Sequence, residues 1–173
     1  MSTISDGPAL RTWFAVVRAY LACERKFARL LSHFGFTIPH FDALTALERR
    51  GGEATPAQLA ESLMVTRGNV TGLIRRMEER RLITVEPHPD DGRSVRCVVA
   101  PAARVRLTRA RLATAAFIKD QMAPFDAAAL ADTERRMNQM CAHLDTLDPD
   151  AIASRVAPPS PERSTPRRRR AAR

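Results

Sequence analysis

Arg67, Thr71 and Arg75 recur at intervals of four in the stretch "ESLMVTRGNVTGLIRRMEERRLI", residues 61–83. On a helix that spacing puts the three side chains on one stripe. Two of them are guanidiniums, whose paired donors match the O6 and N7 acceptors of a guanine edge. Thr66 and Asn69 stand in the first turn, where backbone N–H groups lack intrahelical acceptors and can meet a phosphate. The asparagine amide also matches an adenine edge. Arg76 adds a third cation. Gly68 and Gly72 sit among these residues, one turn apart, although a glycine inside a helix costs roughly 1 kcal/mol against alanine. Such a helix makes sense if its surface must stay low to enter a major groove about 12 Å wide. Its other face, Val70, Leu73, Ile74 and Met77, is apolar. The competing explanation is a solvated basic face, with Gly72 serving a close helix contact.

A second group of polar residues follows. After Leu82 the pattern changes from helical to alternating, in "LITVEP" and "RSVRCVV". Between them "HPDDG" carries an Asp91-Gly92 pair, which favours a tight hairpin turn. Arg93 stands beside that tip, a position from which it could reach a narrow, electronegative minor groove. Asp91, two residues away, could hold its guanidinium by a bidentate pair. His88, Ser94 and Arg96 are placed to touch phosphate. The competing explanation is a polar turn and nothing more.

The elements that would position these groups are legible along the chain. Leu10, Trp13, Val17, Tyr20, Phe27, Leu31 and Phe34 recur at helical steps, giving a first helix over about 8–34. It is long for a globular helix, and its apolar residues spill beyond one stripe, which suits pairing with another chain. Thr37 caps a second helix, with Phe41, Leu44 and Leu47 inward, ending at Gly51-Gly52. Thr55, Pro56 and Gln58 give a third helix a cap, a proline start and a capping box. Val65 turns the chain, and Thr66 caps the helix with the arginine stripe. Helix, short turn, helix is the outline of a helix-turn-helix, and a hairpin directly after it is a wing. Pro101–Met122 and a seam of Leu130, Met137, Met140, Leu144 and Leu147 form two more helices. From Pro149 the composition turns to proline, serine and arginine, and a disordered tail is expected.

Composition narrows the function. The 173 residues are 45% hydrophobic, enough for a globular core, and carry a net charge of +9. Residues 150–173 hold seven arginines against two acids, a net +5, leaving +4 for the rest. That balance favours an anionic partner, and the tail would attract phosphate without reading sequence. No apolar run reaches 18 residues, so no membrane span is expected. Cys23, Cys97 and Cys141 form no CxxC and no disulfide framework, which suits a reducing cytoplasm. Four scattered histidines, no HExxH, no phosphate loop and no nucleophile elbow argue against an enzyme, a metal site or a cofactor.

Three quoted pieces, "FGFTIPHFDALTALERRGG", "TPAQLAESLMVTRGNVTGLIRRMEERRLI" and "PHPDDGRSVRCVV", together resemble the multiple-antibiotic-resistance regulator (MarR) family of bacterial transcription factors. The resemblance covers residues of about 10–147. It implies a mainly α fold with a small β-wing: a winged helix-turn-helix over about 37–100, between dimerisation helices over about 8–34 and 101–147. The domain would span 1–148, and the basic tail 149–173. The resemblance further implies an obligate homodimer that reads a pseudo-palindromic double-stranded DNA operator as a repressor released by a small ligand; many members of the family are released by a small ligand or by cysteine oxidation. Residues 66–76 match the family's recognition helix, and Asp91 and Arg93 its wing signature. "VVAPAAR" departs from the family's Leu-Thr and following glycine, so the fifth helix lacks its threonine cap. In this architecture an effector pocket would lie between the dimerisation helices and the DNA-binding lobe, with Trp13, Tyr20, His40 and Phe41 as candidates. Two alternatives stand beside this reading: a redox-sensing regulator acting through Cys23, and a non-specific basic DNA-binding protein.

Overall fold

The computed structural model describes residues 7–89 and 91–156, with the backbone alone for residues 91–93. It divides into two units, residues 1–123 and 124–173. The first contains α1 (Pro8–Ser32), α2 (Ile38–Arg49), β1 (Glu53–Ala54), α3 (Pro56–Leu63), α4 (Arg67–Glu79), β2 (Ile83–His88), β3 (Asp91–Val99) and α5 (Pro101–Met122). The second contains α6 (Ala127–Leu144) and α7 (Pro149–Val156). The three strands form one antiparallel sheet in the order β1-β3-β2. The fold is the expected mainly α winged helix-turn-helix.

Most helix starts have a local cause. The Thr55 hydroxyl accepts from the Gln58 N–H at 3.3 Å, and the Gln58 side chain accepts from the Thr55 N–H at 2.9 Å. Thr66 caps α4 by accepting from the Asn69 N–H at 3.4 Å. Asp126 caps α6 through the Ala129 N–H at 2.8 Å. α5 begins at Pro101 after Ala100, which makes no side-chain cap bond, as "VVAPAAR" implies. Caps of this kind are worth about 1 kcal/mol each, because they satisfy donors that the helix cannot.

Burial fixes the rest of this unit. Leu44 and Leu47 of α2, Leu59 of α3, Val70 and Met77 of α4, Ile83 and Cys97 of the sheet and Leu107 of α5 share one core. Burying each large side chain contributes about 1.5–3 kcal/mol. The apolar face of α4 is thereby turned inward, and its glycine- and arginine-bearing face outward. In α1 only Leu31 is buried. Phe27 stacks on Phe117 of α5 at 5.8 Å and meets Phe41 edge-on at 5.7 Å. Nearer its start, Trp13 and Tyr20 are 58% and 63% exposed.

Four local features differ from the sequence expectation. Met64, rather than Val65, makes the turn between α3 and α4, in a left-handed conformation with φ 52°. The hairpin pairs His88 with Asp91, so Asp91 and Gly92 begin β3 instead of forming the turn. A short strand, β1, lies against β3 and had no sequence signal of its own. Finally, the expected tail start at Pro149 is the start of α7. The Asp148 carboxylate accepts from the N–H groups of Asp150 and Ala151 at 2.9 and 3.1 Å, and proline suits the first helical position. The remaining tail, residues 157–173, lies outside the described residues. In the second unit no residue of α6 or α7 is buried.

Candidate nucleic-acid interface

An open groove of about 360 Å³ separates α4 from the wing. Arg67 and Thr71 form one wall, Ser94 and Val95 of β3 another, and Thr55, Pro56 and Ala57 at the start of α3 close it. The structure therefore brings together Arg67, Thr71 and Ser94 from the expected set. Sequence reasoning missed Thr55, Pro56, Ala57 and Val95. The Thr-Pro helix start was the available signal, since an exposed helix N-terminus offers N–H donors to an anion.

On α4 the exposed residues include Thr66, Arg67, Gly68, Asn69, Thr71, Arg75 and Arg76. The Thr71 hydroxyl donates to the Arg67 carbonyl at 3.0 Å. Arg75 lies 3.7 Å from Glu79, and both side chains are largely exposed. A pair of this kind contributes little and does not immobilise the guanidinium. Asn69 has its backbone N–H taken by the Thr66 cap. Its side chain lines a separate cavity of about 300 Å³ with Pro39 and Asp42 of α2, and Arg76 lines the same cavity. Arg76 thus faces α2 and stands apart from the Arg67–Thr71–Arg75 stripe.

The glycines answer a packing question. A methyl at Gly68 would meet nothing within 4 Å, and one at Gly72 would meet only Arg76 Nη1, at 3.3 Å. Neither glycine has positive φ. Among the described residues, internal packing and backbone geometry leave both glycines unexplained, and no other helix lies close to Gly72. What they do is keep the outward surface of α4 low.

The wing residues divide. Ser94 lines the groove, and His88 lies at the end of β2 beside Thr55 and Gln58. The side chains of Asp91 and Arg93 lie outside the described residues, as does all of residue 90. Arg96, expected at a phosphate, is held by two carboxylates. Its guanidinium donates to Glu53 at 2.8 Å and to Glu86 at 3.1 Å, so its charge is already shared by two carboxylates.

The four effector-pocket candidates differ in their surroundings. Trp13 and Tyr20 are exposed on α1, and Phe41 is a core residue against Phe27. His40 is buried and completes a capping box: its Nδ1 accepts from the Thr37 N–H, and the Thr37 hydroxyl accepts from its N–H, both at 3.4 Å. Burial, with the charges of Arg80 and Arg76 adding to it, holds its pKa below the ordinary 6.5. Cys23 is half-buried and its thiol donates to Gln121 at 3.4 Å. Cys97 is buried, and burial, with the charge of Glu78 adding to it, pushes its thiol up to about 11. Among the described residues no three His, Cys, Asp or Glu side chains gather where they could hold a metal ion, and no helix is long and apolar enough to cross a membrane.

Comparison with known proteins follows the same lines. The MarR family model matches residues 34–94. Among curated proteins no sequence matches the chain. The fold is similar to the organohalide-sensing regulator RdhR-CbdbA1625 in its 2,4-dichlorophenol-bound form, with TM-score 0.70 and 21% identity over 83% of this chain and 89% of that one. It is similar to AbsC, a MarR family transcriptional regulator from Streptomyces coelicolor, with TM-score 0.70 and 17% identity over 80% and 95% of the two chains. It is also similar to a mutant MarR from E. coli complexed with operator DNA, with TM-score 0.66 and 18% identity over 76% and 94%. At these identities the likeness is one of fold. Residues 34–94 thus match the MarR family model, and the fold of the chain is similar to that of solved MarR-type regulators.

Proposed function

We propose that the chain is a sequence-specific, double-stranded DNA-binding transcription regulator that works as a homodimer on a pseudo-palindromic operator. The observation that carries this reading is the outward face of α4. It presents Arg67, Thr71 and Arg75 beside two glycines that nothing inside the protein requires, across a groove from the wing. Arg67 and Arg75 are the base-edge candidates, and Thr71 is placed for a thymine methyl or a phosphate. Ser94 and the Ala57 N–H at the start of α3 suit the sugar-phosphate backbone. A similar fold in complex with operator DNA supports the same assignment.

The homodimer rests on exposed apolar side chains. Trp13, Tyr20 and Leu112 are at least half exposed in the first unit, as is Leu144 in the second. Exposed apolar side chains of this size suit an interface with a second copy of the chain. A small-molecule effector that releases the regulator from its operator is part of this reading, supported by the ligand-bound state of a similar fold. A cavity of about 490 Å³ between α1 and α5, lined by Ala19, Cys23 and Phe117, is large enough for such a molecule.

The test is selection of bound fragments from genomic DNA, followed by titration of the enriched duplex against random duplex. A specific regulator binds the enriched site about 10³-fold or more tightly than random DNA. Equal affinity for both would instead support the non-specific basic binder.

A further inference from the structure

We infer that Arg96 is a positioning residue that sets the separation of the groove's two backbone-facing walls, an inference that rests on the DNA-binding reading of that groove. The argument starts from register. Along β3, alternate residues face opposite sides of the sheet, and Cys97 and Val99 are the buried ones. Arg96 is on the other side, in the central strand of the three. Glu86 of β2 is its direct cross-strand partner, and Glu53 of β1 pairs with Val98, two residues further along. One guanidinium therefore reaches both neighbouring strands, at 3.1 Å and 2.8 Å.

The placement of those strands gives the contact its consequence. Val95, which precedes Arg96, lines the wing wall of the groove together with Ser94. Glu53 stands two residues before Thr55, the N-cap of α3, which lines the opposing wall with Pro56 and Ala57. The wing wall and the helix-turn-helix wall are thus tied by this side chain in addition to the short β1–β3 backbone ladder. A planar fork suits this task, because two of its nitrogens can bond two separate carboxylates at once. Arg96 is only 28% exposed, and its Nε is buried without a hydrogen-bond partner among the described residues. The bonds to Glu53 and Glu86 are kept at the expense of that third donor. The triad carries two negative charges against one positive, so it offers a phosphate no net attraction.

That charge balance makes the test decisive. Glu53→Ala removes a negative charge beside the groove, and simple electrostatics would make DNA binding tighter. Loss of the clamp instead weakens binding to the enriched duplex, by about threefold to tenfold. The slope of log affinity against log salt stays as in the wild type, because no phosphate contact is lost. Arg96→Met gives the same unchanged slope; a slope shallower by about 0.9 would make Arg96 a phosphate ligand and overturn the inference. Unchanged or tighter binding in Glu53→Ala would overturn it equally. Amide hydrogen exchange on the free protein supplies a reading independent of DNA. The β1–β3 amides, Ala54 and Val99 among them, exchange faster in Glu53→Ala if the clamp holds the strands together. If wild-type protein fails to prefer the enriched duplex, the DNA reading falls, and exchange alone decides the clamp: unchanged exchange would refute it.

Discussion

Arg75 Nε lies 3.7 Å from Glu79 Oε1 on the outer face of α4, with the two side chains 75% and 64% exposed. An exposed pair one turn apart contributes about 0.3–0.5 kcal/mol, so Arg75 has no substantial structural task. Arg75→Ala therefore leaves thermal stability nearly unchanged. In duplex titrations it costs roughly 1–3 kcal/mol and relaxes base preference at one symmetric operator position. Uniform weakening on every sequence would instead assign Arg75 to the phosphates.

Gly68 and Gly72 allow a prediction in which stability and binding move in opposite directions. A methyl at Gly68 meets open space, and one at Gly72 meets only the movable end of Arg76. Gly68→Ala should stabilise the free protein by about 0.5–1 kcal/mol, from helix propensity alone. Gly72→Ala should gain somewhat less, because Arg76 must shift. Both should weaken binding to the enriched duplex, because the methyl projects into the surface the groove would occupy. Thermal unfolding and duplex titration on the same samples check both halves. Retained affinity would remove the close-approach explanation of the glycines.

What the sequence disclosed was what is local. Thr55 and Gln58 are three residues apart, and so are Thr66 and Asn69, so their caps could be read directly. Alternation after Leu82 marked the wing strands for the same reason. What stayed hidden depends on distant partners. β1 is two residues long and exists through pairing with Val98 and Cys97, more than forty positions later. Arg96 reads as a free cation until Glu53, 43 positions away, is brought against it. Met64 gave no glycine or asparagine to mark its left-handed turn. The α7 start was legible in Asp148-Pro149, but the composition of the following tail outweighed it. His40 was missed as a cap because glutamate or glutamine usually fills that position.

Exposed apolar residues give a third prediction. Trp13, at 58% exposure, packs edge-on against Phe14 at 5.0 Å and is otherwise open on α1. In a dimer it would be covered. Trp13→Glu would place a charge in that interface and weaken association by about 2 kcal/mol or more. Sedimentation equilibrium should show wild-type dimer at micromolar concentration and a shift toward monomer in the variant. Operator affinity should fall with it, because two recognition helices about 34–36 Å apart require the dimer. A wild-type protein that sediments as a stable folded monomer would refute the homodimer.

His40 makes stability depend on pH in a defined direction. Its neutral Nδ1 accepts the Thr37 N–H, and burial together with Arg80 and Arg76 disfavours the imidazolium. The folded pKa is therefore below 6.5, the value expected in the unfolded chain. Above that value neither state takes up a proton at this site, and the full contribution is present. As pH falls through 6.5 the unfolded state binds the proton first, so stability declines, and the decline ends once the folded state also protonates. Asp42 works in the opposite sense at lower pH, because burial raises its carboxyl above 3.8, and its folded form takes up a proton first as the solution is acidified. His40→Gln separates the two. Glutamine can keep the capping box with Thr37 but does not titrate. The wild type should lose melting temperature between pH 7 and pH 5.5, and His40→Gln should lose less over the same interval. Parallel curves for the two proteins would show that His40 protonates as readily folded as unfolded, and would remove it as the source of the acid sensitivity.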